Sequence, residues 1–315
     1  MATDREVIVV AGVGELGRYI CEELQASSGF EVVVLTRGLA PNPWLESKGI
    51  RSFTTDYTPA SVLQILNSTH ATTLISCILI STPRYITVHT ALLTACQQSA
   101  ACKRLIPSEW IGDLETHPLK PAFYAASREP FRRVLEAQTE VAWTLFCLGW
   151  LADYFLPRAK TYMKPVLSMF PLDPDGWAAC VRGSGDEGQS WTCGRDVGRA
   201  VVELCKADEW EQVTYVAGEW STFNQAIKVM EKYHNRSMPR TQKPWHDVQR
   251  VLDTYKEGDE VTAEHEAAQV EEMSVLGCLA CPKEKTLRQR QKYFSSVQFR
   301  DLEQLLQCAS EMDFV

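Results

Sequence analysis

Gly12, Gly14 and Gly17 are spaced as GxGxxG, with Val13, Glu15 and Leu16 between them. Glycines at this spacing let backbone N–H groups approach a phosphate, although the string alone is common. Its setting gives it weight, because it follows the apolar run VIVVA and precedes the amphipathic run LGRYICEEL. In a strand–turn–helix of this kind the first glycine makes the turn, the second admits a pyrophosphate and the third lets helix and strand pack closely. The helix N-terminus then faces the phosphates. An ordinary βα turn without a ligand is the alternative. The next apolar run, EVVVLT, ends in Thr36 and Arg37, and no acid follows until Glu46. An acid there would bind the ribose 2′-hydroxyl of NAD, whereas an arginine accepts the 2′-phosphate of NADP. The pattern therefore predicts an NADP(H) site holding Gly12, Gly14, Glu15, Leu16, Gly17, Thr36 and Arg37, Arg37 being otherwise a solvated surface charge. Asp56, after RSFTTD, either caps a helix or lies beside the adenine. Ser76, Cys77, Pro107 and Ser108 complete the predicted cofactor set.

The elements that must position these residues alternate. EVIVV, EVVVLT, TLISCILI, RLIP and VAWTLFCL are apolar and β-branched, as buried parallel strands are. LGRYICEELQAS, PASVLQILNS, TVHTALLTACQQS and SREPFRRVLEAQ have helical spacing. The rhythm is βαβ, and it predicts an α/β fold: a Rossmann doubly wound parallel sheet over residues 1–155 with a smaller C-terminal α/β substrate lobe over 156–315. Some lobe segments are expected to return to the main sheet. Helices are expected at GRDVGRAVVELCK, FNQAIKVMEKYH, KEGDEVTAEHEAAQVEEMSVLG and FRDLEQLLQCAS.

The 315 residues are 45% hydrophobic, with a formal net charge of −8. That balance suits a chain with a large core and disfavours general binding to nucleic acid or an anionic membrane. MATDREVIVV carries acids where a signal peptide is basic, and no run approaches a membrane span. The expected partner is a small apolar molecule, the expected location cytoplasmic, and the expected state monomer or homodimer. Eleven cysteines lie in apolar segments and read as free thiols in a reducing compartment. The lone CxxC, Cys278 to Cys281, has no second pair and reads as structural. His89, His117, His234 and His246 show no metal spacing, so no metal site is predicted.

VIVVAGVGELGRYICEEL, VLTR, RLIPSEWIGD at 104–113 and YAASREPFRRVLEA at 124–137 together resemble the NmrA-like and isoflavone-reductase-like proteins. These are atypical short-chain dehydrogenase relatives, and this version is similar to fungal secondary-metabolism members. WTLFCLGWLADYFLP, TCGRDVGRAVVEL and YVAGEWSTFNQ extend the resemblance, which weakens after about residue 235. It implies an NADPH-bound Rossmann domain, a small substrate domain and, in many members, reduction of a small, often aromatic metabolite; some relatives only sense cofactor redox state.

The family's reductases carry a lysine in a Tyr-x-x-Lys-like pattern, which here reads Tyr124, Ala125, Ala126, Ser127. The Tyr-x-x-x-Lys alternative ends in Arg128, and the threonine of GxTGxxG is Val13. The missing ammonium would hold the nicotinamide ribose and steady a developing oxyanion. Ser127, Tyr124 and, from upstream, Lys120 are the catalytic candidates, with helix N-capping by Ser127 as the competing role. Glu109 and Trp110, after RLIP, together with Trp150 and Tyr154 are the substrate candidates. Glu109 could equally pair with an arginine, and each aromatic could be core. Three functions fit: an NADP(H)-dependent reductase acting on an aromatic or alkaloid-like intermediate; a cofactor-bound isomerase or cyclase without net redox change; or an NADP-sensing binding protein.

Overall fold

The computed structural model describes residues 5–38, 40–166, 168–255, 261–312 and 314–315. It divides into two compact units that alternate along the chain. Unit 1 holds residues 1–109, 126–146 and 197–214, and unit 2 holds 110–125, 147–196 and 215–315. The chain therefore crosses between the two units five times, where the sequence suggested one boundary near residue 155 with some segments returning.

Unit 1 is built on a six-stranded sheet of β1 (Glu6–Ala11), β2 (Phe30–Thr36), β3 (Arg51–Thr54), β4 (Ala71–Ser76), β5 (Arg104–Ile106) and β6 (Ala142–Trp143). Its order is β3-β2-β1-β4-β5-β6, and every neighbouring pair is parallel. The order reverses between β1 and β4, which opens a crevice at the carboxyl ends of those two strands. The connections are α1 (Glu15–Ala26), α2 (Pro43–Lys48), α3 (Pro59–Thr69), α4 (Arg84–Gln98) and α5 (Arg128–Glu136). Val7 to Ala11 and Val32 to Leu35 are buried, as the apolar runs require for strands covered on both faces.

Two expected strands are shorter than their apolar runs. TLISCILI pairs only as far as Ser76, after which Cys77–Ile80 leaves the sheet as a loop. VAWTLFCL breaks at Thr144, whose hydroxyl bonds that of Thr214 at 2.8 Å, separating β6 from β7 (Leu145–Cys147). The chain leaves unit 1 within β7, and α6 (Gly194–Lys206) brings it back. It leaves again within β12 (Val213–Tyr215).

Unit 2 has two small sheets. One orders β14 (Arg240–Lys243), β10 (Ala178–Arg182) and β9 (Leu172–Asp173); the other orders β13 (Glu219–Ser221), β11 (Gln189–Thr192) and β8 (Trp150–Leu151). Around them lie α7 (Phe223–His234), α8 (Trp245–Asp253), α9 (Ala263–Val275), α10 (Lys283–Tyr293) and α11 (Leu302–Glu311). The expected helix over KEGDEVTAEHEAAQVEEMSVLG is α9, capped by the Thr262 hydroxyl, and residues 256–260 of that run lie outside the described residues. Trp150, Phe155, Phe170, Trp191 and Phe223 share one aromatic core. Buried ion pairs reinforce the unit: Arg182 binds Glu271 at 2.7 Å, and Arg300 binds Asp196 at 2.9 Å.

Candidate functional site

The glycine loop leaves β1 and enters α1 with each glycine in a different situation. Gly12 has φ +90°, which favours glycine, and a Cβ there would meet the Cys77 carbonyl at 3.3 Å. A Cβ on Gly17 would stand 2.5 Å from the Gly12 carbonyl oxygen, so only hydrogen lets α1 sit this close to the turn. Gly14 has nothing within 4 Å of where a Cβ would be. It is also the N-cap of α1, and no side chain caps that end. Open space beside uncapped N–H groups fits a pyrophosphate. Leu16 is buried, while Glu15 keeps partial exposure in the first turn.

At the end of β2, Thr36 is partly buried and its hydroxyl bonds the Gly38 carbonyl at 3.5 Å. Arg37 is exposed, and among the described residues none forms a hydrogen bond or ion pair with it. An uncommitted guanidinium at this place suits a 2′-phosphate. Asp56 does not cap α3, since that is done by the Thr58 hydroxyl accepting from Ser61 N–H. The Asp56 carboxylate instead accepts from Thr58 N–H at 2.9 Å and Thr58 Oγ1 at 2.8 Å, and these bonds hold its pKa below the usual carboxylate value.

The loops after β4 and β5 are tied to α4 and α5. Cys77 N–H bonds the Ala11 carbonyl at 2.8 Å, joining the β4 loop to β1. Burial pushes the Cys77 thiol up to about 12, so it is neutral and unreactive. Ser76 is fully buried and its hydroxyl lies 3.0 Å from His89 Nε2, so its side chain serves the scaffold. Pro107 and Ser108 are also buried. Tyr85 Oη donates to the Ser108 carbonyl at 3.2 Å. Burial holds the His89 imidazole down to about 3, the Tyr85 carbonyl opposing that shift and the Arg128 charge adding to it.

Glu109 makes the arginine pairing that its sequence position left open. Both carboxylate oxygens accept from Arg132, at 3.0 and 2.9 Å, and the side chain has no exposed surface. Trp150 is likewise a core residue of unit 2, edge-on to Phe170. Tyr154 is half-buried against that cluster. Trp110 is half-buried, with φ +50°, a conformation that large side chains rarely adopt.

Of the catalytic candidates, Lys120 and Tyr124 belong to unit 2 and Ser127 to unit 1. Lys120 donates to Glu272 at 2.5 Å within unit 2. Tyr124 is buried, its ring edge-on to Phe123. Ser127 occupies the N-cap position of α5 but makes no capping bond; its Oγ accepts from Arg128 at 3.3 Å. Tyr85, His89 and Arg132 escaped sequence reasoning as a group. The signal for Tyr85 and His89 was a helix face on which Tyr85, His89, Leu92 and Cys96 recur at helical spacing, placing an imidazole among apolar residues. The cysteines Cys278 and Cys281 are buried, and all eleven cysteines are unbridged. No helix of the described residues is long and apolar enough to cross a membrane.

Comparison with known proteins places this geometry in context. An oxidoreductase, swnR, of Metarhizium robertsii is 37% identical over 94% of this chain and 94% of its own. The phenylcoumaran benzylic ether reductase Pyrc5 of Pyrus communis is 23% identical over 78% of this chain and 79% of its own. The leucoanthocyanidin reductase–NADPH complex from Vitis vinifera superposes with a TM-score of 0.70 at 18% identity, covering 97% of this chain and 98% of that one. Residues 3–280 match the model of the NmrA-like family, and the chain belongs to that family.

Proposed function

We propose that the protein is an enzyme, an NADP(H)-dependent oxidoreductase of specialised metabolism, which reduces a C=C, C=N or C=O bond in an apolar aromatic or alkaloid-like intermediate. The observation that carries this is the pairing of an uncapped α1 N-terminus beside open Gly14 with the uncommitted Arg37 at the end of β2. NADPH, when bound, supplies the hydride. Gly12 and Gly17 shape the turn, the α1 N–H groups take the pyrophosphate, and Arg37 takes the 2′-phosphate. The oxidoreductase name of the swnR relative supports the reaction class, and the reductase name of the Pyrus relative supports an aromatic substrate.

A second reading is a cofactor-bound isomerase or cyclase, favoured by Ser127 standing where the reductases carry lysine and by Lys120 being held on Glu272. Purified protein incubated with candidate substrates and NADPH, followed by the loss of nicotinamide absorbance, separates the two. Stoichiometric NADPH consumption supports the reductase; product without consumption supports the isomerase. Binding of NADPH with no turnover of any metabolite would leave the sensing role.

A further inference from the structure

We infer that His89 is the positioning residue of the nicotinamide half of this cofactor site, holding the end of β4 and the loop after β5 on one nitrogen of an imidazole whose other nitrogen is anchored to α4. The inference rests on the NADP(H) reading. His89 lies in the second turn of α4 and is fully buried. Its Nδ1 stands 3.0 Å from the Tyr85 carbonyl, which can only accept, so Nδ1 carries the proton. Nε2 is then an acceptor, and two donors converge on it: the Ser76 hydroxyl at 3.0 Å and the Ser108 N–H at 3.4 Å. One ring thus joins the last residue of β4 to the loop that follows β5.

The residue one turn earlier completes the arrangement. The Tyr85 ring stacks on the imidazole, with centroids 3.7 Å apart and planes 18° apart, and its hydroxyl donates to the Ser108 carbonyl at 3.2 Å. Both backbone polar groups of Ser108 are therefore held by α4. The Arg128 guanidinium lies over the Tyr85 ring, 4.2 Å from its centroid, and donates to the Ile80 carbonyl, fixing the far end of the β4 loop. Glu109, next to Ser108, is held by Arg132. The Cys77 carbonyl sits against Gly12, so the β4 loop positioned in this way is also the wall of the glycine turn.

These loops start at the carboxyl edges of β4 and β5, on the β4 side of the crevice. The adenosine half belongs to the β2 side, with Arg37. An aliphatic side chain at position 89 would fill the space but leave the Ser76 hydroxyl and the Ser108 N–H without this acceptor. A role in placing the loops thus predicts a loss confined to the nicotinamide half of the ligand.

The test compares two probes, NADPH and its adenosine-half fragment 2′,5′-ADP, by isothermal titration of the wild type, His89→Leu, His89→Gln and Tyr85→Phe. His89→Leu should weaken NADPH about tenfold, the equivalent of one to two lost hydrogen bonds, and leave 2′,5′-ADP within about twofold. His89→Gln, which keeps a donor and an acceptor, should recover most of that loss, and Tyr85→Phe should show a smaller effect of the same kind. Equal weakening of both probes, or a fall in melting temperature with NADPH affinity intact, overturns the inference. If His89→Leu does not fold, the Gln and Phe variants still decide it, because unchanged NADPH affinity in Tyr85→Phe would overturn it. Wild-type protein that binds neither probe would instead overturn the NADP(H) reading itself.

Discussion

Arg37 and the cations of the segment from Lys120 to Arg132 are in opposite situations. Arg37 is exposed and uncommitted among the described residues. In the later segment Lys120 is on Glu272, Arg128 on the Ile80 carbonyl and Arg132 on Glu109. A charge awaiting a phosphate must be kept free, because an internal carboxylate would compete with the ligand. A charge that builds a site wall must be engaged, because an unpaired buried ion is costly. With the proposed NADP(H) site, the contrast gives recognition to the first region and architecture to the second.

The largest test of that contrast removes the architectural cation. Arg132→Met should cost about 3–5 kcal/mol, because it leaves Glu109 as an uncompensated buried carboxylate. Lys120→Met, which opens a half-exposed pair, should cost about 1 kcal/mol or less. Urea unfolding of both variants checks the difference, and equal losses would break the distinction. For the recognition cation, Arg37→Ala should leave folding unchanged and weaken NADPH about tenfold or more, as expected for a lost charge-assisted bond. NADH affinity should change little. Titrations with the two cofactors decide this, and equal loss for both removes the 2′-phosphate assignment.

The sheet was legible because its strands are buried on both faces and announce themselves as continuous apolar runs; Gly12, Gly14 and Gly17 were legible because they sit between such a strand and a helix. The ends of runs were not. CILI is as apolar as the strand before it, but the Ile80 carbonyl is taken by Arg128, a residue distant in sequence. For Glu109 the sequence left a substrate contact and an arginine pair both open, and the fold names the arginine as Arg132. The many short strands and buried ion pairs of unit 2, such as Arg182 with Glu271, depend on partners 89 positions apart, which periodicity cannot reveal.

His89 sharpens the architectural side through its response to acid. Burial depresses its pKa from 6.5 to about 3, so the unfolded chain binds the proton more readily than the native one. The stability tied to neutral His89 is full above about pH 6.5 and is lost as pH falls toward 3, about 2 kcal/mol of it by pH 5. His89→Gln lacks this titration. Its melting temperature should therefore fall less than that of the wild type between pH 7 and pH 5, and parallel falls would show that His89 protonates freely in the native state.

Ser127 gives the smallest expected effect on stability and a direct reading of which side of the comparison it belongs to. Its position at the start of α5 would predict a loss of about 1 kcal/mol on replacement if the hydroxyl capped the helix. The hydroxyl instead accepts from Arg128 and makes no capping bond, so Ser127→Ala should lose less than that in urea unfolding. A full cap-sized loss with turnover intact would return Ser127 to helix initiation. A fall in kcat at unchanged stability would place the hydroxyl in the chemistry, as the polar group that stands at the family's lysine position.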